Sequence, residues 1–131
     1  MPGAESSSSP AYPDRVSIPR PVWAGAALGL VGLHLAALYW PVVAVAGPVE
    51  WSDKVVHVLI FAVPTFVVGW WLRRPELVVL GFALHAPVSE IIQAQALPGR
   101  SGDWVDVLCD LAGVALAALA LGRIRRARPV E

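Results

Sequence analysis

Four apolar runs separated by short polar breaks set the pattern of this chain. The first extends from Val22 to Trp40 and holds no Asp, Glu, Lys or Arg. Pro41 to Ser52 interrupts it, with Pro41, Gly47 and Pro48 as helix breakers. The second run reaches Leu72, and either Ser52 or Asp53 can cap it. Arg73-Arg74-Pro75-Glu76 reads as a tight turn. A third run spans about Leu77 to Ala96, and a loop around Pro98 and Gly99 follows to Gly102. The fourth run starts near Asp103 and ends near Gly122. A hydrocarbon core of about 30 Å takes about 20 helical residues to cross. The pattern therefore predicts an all-α membrane protein built as a four-helix transmembrane bundle.

Details within the runs refine this. Ala44-Val45-Ala46 resembles a signal-peptide cleavage site, but the apolar stretch before it exceeds the roughly 7–15 residues of a secretory signal, which favours a retained helix. Pro64 and Pro87 predict bends in the second and third helices, tolerable where a neighbouring helix satisfies the freed carbonyl. Gly25-x-x-x-Gly29 would allow a close helix approach. His34 and His85 lie mid-run and read as packed, neutral histidines rather than ligands or relays.

Composition supports the membrane reading. The chain is 56% hydrophobic and 15% charged, with a mean hydropathy of +0.62, whereas soluble domains are about 45–50% apolar and about 25% charged. Residues 1–20 are rich in Ser and Pro and read as a disordered tail. Residues 21–122 form the membrane domain, and 123–131 form a basic tail. Cys109 is the only cysteine, which rules out an internal disulfide or a cysteine metal motif, and it reads as a small packing residue. The bilayer is the partner this composition implies. Nothing marks a nucleic-acid partner, and the Ser/Pro-rich tail holds no nucleotide, phosphate or lipidation signature.

The distribution of charge orients the four spans. Arg15, Arg20, Arg73, Arg74, Arg123, Arg125, Arg126 and Arg128 fall on one side, eight in all, against Lys54 and Arg100 on the other. Basic segments stay cytoplasmic, which places both termini and the 73–76 turn inside; the membrane expected is the plasma membrane. The six tryptophans agree: Trp23, Trp70 and Trp71 fall at the inner ends, and Trp40, Trp51 and Trp104 at the outer ends.

This topology gathers polar residues at the outer end. Asp53 and Lys54 open the second helix, with His57 one turn deeper on the Asp53 face. Glu90 and Gln93 share a face near the end of the third helix, and Arg100 lies in the loop. Asp103, Asp106 and Asp110 follow at i, i+3 and i+7, on one stripe that Gly113 continues and where another helix could close in. With Glu50, six acidic residues face two basic ones outside, a net of −4; the inner side is +4. Carboxylates partly out of water do not all stay ionised and unpaired. Asp110, about 10 Å below Asp103 at 1.5 Å per residue, is expected to be the most buried, and so protonated or bound to Arg100 or His57. Asp103 reads first as the cap of the fourth helix. Glu90, Asp106 and Asp110 lie deeper, where an ionisable group is costly and usually has a task.

These residues resemble the pattern of the VanZ-like membrane proteins: Asp-Lys-x-x-His opening a helix, then Glu-x-x-Gln, then Arg leading to Asp-x-x-x-Asn-x-x-Gly. Here the matching residues are Asp53-Lys54-Val55-Val56-His57, Glu90-Ile91-Ile92-Gln93, Arg100, Asp106, Asp110 and Gly113, over about residues 22–122. Asp110 departs from the pattern by standing where Asn is usual. The resemblance implies an integral membrane protein of a family with members that raise resistance to teicoplanin, a glycopeptide acting on cell-wall precursors.

Three functions fit these residues. The favoured one is a non-enzymatic envelope protein whose outer site binds a cell-wall precursor, an anionic headgroup or a lipoglycopeptide, with Lys54 and Arg100 on an anionic group and the carboxylates on hydroxyls or amines. The second is a metal-dependent membrane hydrolase or transferase using a divalent cation on His57, Glu90, Asp106 and Asp110. The third is a small proton-coupled carrier, which with four spans per chain would need an oligomer.

Overall fold

A computed structural model describes residues 19–40, 51–98 and 102–127. Four helices account for nearly all of them: α1 (Arg20–Tyr39), α2 (Ser52–Leu72), α3 (Pro75–Ala96) and α4 (Trp104–Arg126). They contain 20, 21, 22 and 23 residues, so each is about 30–35 Å long. All four are long and apolar enough to cross a membrane, and the described residues contain no strand. The Ser/Pro-rich segment 1–18, residues 41–50, Arg100 and residues 128–131 lie outside the described residues.

Cross-helix contacts give the arrangement. Lys54 meets Asp106, His57 meets Asp110 and Gly69 meets Leu121, so α2 and α4 run in the same direction. Trp23 packs on Trp70 and His34 on Ile60, so α1 opposes α2. Asp103 meets Glu90 and Arg125 meets Glu76, so α3 opposes α4. The result is an up-down-up-down bundle with an acidic and a basic end. The α2–α4 contact is the most extensive, whereas α1 packs on α2, touches α3 slightly and does not reach α4.

Gly113 explains the closeness of α2 and α4. A Cβ there would overlap the Val58 carbonyl oxygen and lie 3.1 Å from the Ala62 nitrogen. Lipid tails are as apolar as leucine, so membrane helices associate through close packing and hydrogen bonds. A small core of Leu38, Phe61, Ala86 and Val114 fills the centre, while Leu28, Leu33, Leu80, Leu84, Leu116 and Leu119 are exposed on the outer surface. The expected use of Gly25 and Gly29 does not occur among the described residues: no other helix comes within 4 Å of the Cβ position at either glycine, or at Gly32.

Helix ends depart from expectation in three places. Pro75 and Glu76, read as part of a tight turn, already form the first turn of α3, where proline suits the first helical position. Trp51, not Ser52 or Asp53, is the N-cap of α2, and it makes no side-chain cap bond. Asp53 sits inside the first turn, where its Oδ1 accepts from the Lys54 N–H at 2.9 Å and its charge suits the positive end of the helix dipole. α4 continues past Gly122 to Arg126. Gly122 has open space around it, and the extra turn brings Arg125 to Glu76 and, at 3.0 Å, to the Arg73 carbonyl. Arg73 itself has φ 56°, the left-handed C-terminal conformation that glycine more often supplies.

α2 and α3 both pass through their prolines without a break. Pro64 has no N–H, which leaves the Ile60 carbonyl without its helical donor. His34 Nδ1 lies 2.9 Å from that oxygen. A carbonyl only accepts, so Nδ1 carries the proton, and Nε2 of the neutral ring is an acceptor. His85 Nδ1 therefore donates to His34 Nε2 across a long 3.4 Å, and Tyr39 Oη donates to His85 Nε2 at 2.9 Å. The chain of donors runs one way, from Tyr39 through His85 and His34 to Ile60. It ends on a carbonyl that cannot pass a proton on, which makes it a staple between α1, α2 and α3 rather than a relay. Phe61 and Phe82 pack edge-on against His34, with centroids at 4.7 and 5.3 Å.

The staple is testable by a double-mutant cycle. His34→Ala is expected to cost about 2 kcal/mol by orphaning the Ile60 oxygen and opening a cavity. Pro64→Ala restores the missing N–H, so His34→Ala should cost about 1 kcal/mol less in that background. Unfolding in mixed detergent micelles reads the difference; additive costs would show that His34 does not serve this carbonyl.

Candidate functional site

The acidic end of the bundle is built from α2, α3 and α4. Lys54 lies between three carboxylates: Asp53 Oδ2 at 3.2 Å, Asp103 Oδ2 at 3.2 Å and Asp106 Oδ1 at 2.5 Å. One turn deeper on α2, His57 places Nδ1 at 2.9 Å from Asp110 Oδ1 and Nε2 at 3.8 Å from Asp106 Oδ2. The helical spacings produce this match: 54 and 57 on α2 face 106 and 110 on the parallel α4.

α3 supplies the third wall. Glu90 Oε2 accepts the Asp103 N–H at 3.0 Å, and Gln93 Nε2 donates to Glu90 Oε1 at 3.2 Å. Glu90 thus satisfies a backbone donor at the start of a different helix. Gly102 permits the approach, because a Cβ there would lie 2.8 Å from the Glu90 carbonyl oxygen. Asp103 is the N-cap of α4, as its position predicted, accepting the Val105 N–H at 2.9 Å. That bond and the Lys54 ammonium hold the Asp103 carboxyl below its ordinary value of 3.8. Its stabilising contribution is complete above that ordinary value and is lost as pH falls through the lowered one.

Burial deepens steadily from rim to floor. Side-chain exposure is 44% for Asp53, 40% for Asp103, 29% for Lys54, 18% for His57, 14% for Asp106 and 0% for Asp110. Glu90 and Gln93 are buried as well. Asp110 is the deepest of the carboxylates, as its position one turn below Asp106 led us to expect. Its partner is His57. Asp110 Oδ2 has no hydrogen-bond partner among the described residues.

Seven of the eight residues singled out from sequence therefore converge: Asp53, Lys54, His57, Glu90, Gln93, Asp106 and Asp110. The eighth, Arg100, lies outside the described residues. One expected role changes. Lys54 is enclosed by three carboxylates and is not available to receive an anionic group. Among the described residues of this end, five carboxylates face one lysine and one histidine. The surplus is negative, and the chemistry it favours is recognition of cations, amines and hydroxyls.

Sequence reasoning did not anticipate Asp103 as a backbone donor to Glu90, nor Tyr39 as the partner of His85. The signal for Tyr39 was available, because an interfacial tyrosine one helix away from a mid-span histidine is a ready donor. A scan against protein-family models, a search of curated proteins and a search of solved structures each return no match.

Proposed function

We propose that this protein is a VanZ-like, non-enzymatic binding protein of the plasma membrane. In this reading its acidic end faces outward and holds the amino- or hydroxyl-bearing part of a cell-envelope component. A lipid-linked cell-wall precursor and the lipoglycopeptide teicoplanin both carry such groups, and sequestering or modulating either would link the protein to glycopeptide resistance. The observation that supports it is the excess of carboxylates over cations in a half-buried site open at one end of the bundle. Orientation rests on the basic end, where arginines of α1, α4 and the α2–α3 turn gather; such segments stay cytoplasmic.

The test is binding by the purified protein in nanodiscs, with fluorescently labelled teicoplanin and a dansylated lipid-linked precursor as probes. At least one probe should bind the wild type. Asp106→Asn, which removes a charge near the rim, should weaken that binding about tenfold, equivalent to about 1.4 kcal/mol. No binding of either probe, or equal binding by wild type and variant, overturns the assignment. For orientation, a single reporter cysteine at Ser52 in a Cys109→Ala background should react with an impermeant maleimide on whole cells; labelling only after lysis would reverse the topology.

A further inference from the structure

We propose that His57, Glu90 and Asp110 form a binding site for one divalent cation of the Mn²⁺ to Zn²⁺ series. This site lies beneath the rim and is independent of any headgroup bound above it.

The geometry comes from three helices, each giving one donor. One ligand atom from each residue lies within 4.8 Å of the others. Ligands about 2.2 Å from a tetrahedral ion stand about 3.6 Å apart, so side-chain shifts of about 1 Å bring the set into range, with the His57 and Asp110 atoms, now 2.9 Å apart, opening slightly to admit the ion. Glu90 and Asp110 are 5% and 0% exposed. Two buried carboxylates beside a single imidazole carry surplus negative charge, and such charge is costly unless a cation or hydrogen bonds offset it. Lys54, the single lysine of the chain, is already held among Asp53, Asp103 and Asp106. The fully buried Asp110 Oδ2 has no hydrogen-bond partner among the described residues, which leaves a strong acceptor on a cluster residue with nothing to accept from.

The surroundings resemble a ligand-orienting shell. Gln93 Nε2 and the Asp103 N–H fix the Glu90 carboxylate. The His57 ring has Nδ1 beside Asp110 and Nε2 facing Asp106, and a carboxylate on the far nitrogen is the usual partner of a metal-bound histidine. An ion on Nδ1 and Asp110 would replace the proton those two groups share, so binding should release a proton and weaken as pH falls. One imidazole with two carboxylates suits Mn²⁺ and Zn²⁺ better than Ca²⁺, which takes oxygen donors alone.

The experiment uses full-length protein in detergent, stripped with a chelator. Mn²⁺ and Zn²⁺ are titrated separately by calorimetry in two buffers of different ionisation enthalpy, and retained metal is counted after gel filtration. The expected result is one ion per chain with proton release. Asp110→Asn and His57→Gln should each weaken binding by about 100-fold, while Glu76→Gln, at the opposite, basic end of the bundle, leaves it unchanged. Helical circular dichroism and a single gel-filtration peak establish that each variant is folded. If a variant is not folded, the wild-type titration alone decides, with Mn²⁺ paramagnetic resonance reporting immobilised ion. No retained ion in the wild type, or retention undiminished in folded Asp110→Asn, overturns the site.

Discussion

Replacing Gly113 with alanine is expected to destabilise the whole bundle measurably. Two effects oppose each other. Alanine favours helix over glycine by about 1 kcal/mol. Against that, the added methyl overlaps the Val58 carbonyl and crowds the Ala62 nitrogen. Both are backbone atoms of a helix, so no rotamer change can make room. Forcing α2 and α4 apart loosens the largest contact in the molecule and separates Lys54 from Asp106 and His57 from Asp110. Overpacking of side chains costs about 1–3 kcal/mol, occasionally more, and a backbone clash belongs at the top of that range or above. Gly113→Ala should thus lose about 2 kcal/mol net or more, and Gly113→Val more still. Heating in detergent followed by gel filtration measures this directly. A variant with wild-type thermal stability would show that α2 and α4 do not approach as closely as described.

Lys54→Met should be the most damaging change within the acidic end. The ammonium holds three carboxylates together, and the one at 2.5 Å, on Asp106, is only 14% exposed. Breaking a buried pair by removing one partner costs about 3–5 kcal/mol, while exposed pairs contribute about 0–1 kcal/mol. The rim is wet on the Asp53 and Asp103 side and drier at Asp106, so a loss of about 2 kcal/mol is expected. Methionine keeps most of the chain length, so charge rather than volume is removed. The companion variant Lys54→Met with Asp106→Asn should recover part of the loss, because it removes the carboxylate left least solvated. No recovery in the pair would mean that Lys54 contributes through packing alone.

Much of this architecture was legible beforehand, for physical reasons. A helix that crosses a membrane announces itself through twenty apolar residues, and all four did. The polar convergence was legible because spacing on a helix is spacing in space: Asp103, Asp106 and Asp110 had to share a stripe, and alternating spans had to bring it beside Asp53 to His57. What stayed hidden involves backbone groups and competition. The Ile60 carbonyl that orients His34 has no side-chain signature; only Pro64 pointed to it. Glu90 bonding the Asp103 N–H depends on how α3 ends against α4, which no periodicity encodes. Lys54 was read as free to bind an anion because its charge was counted without asking how many carboxylates would reach it. Gly122 looked like a terminator, yet α4 runs on to place Arg125 against Glu76 and the Arg73 carbonyl.

The polar staple also bears on the order in which the molecule is made. In a chain synthesised from its N-terminus, α1 reaches the bilayer before any of its partners. Until α2 follows, His34 sits in hydrocarbon with no carbonyl to meet, and the three glycines facing outward from α1 offer its neighbours nothing to lock onto. Arrival of α2, carrying a carbonyl that Pro64 has stripped of its donor, supplies the missing acceptor, and α3 then adds His85 to complete the chain to Tyr39. Each of two adjacent helices is born with an unmet hydrogen-bonding group that the other satisfies, and α1 and α2 are matched to one another before the acidic site, which waits for α4, can exist.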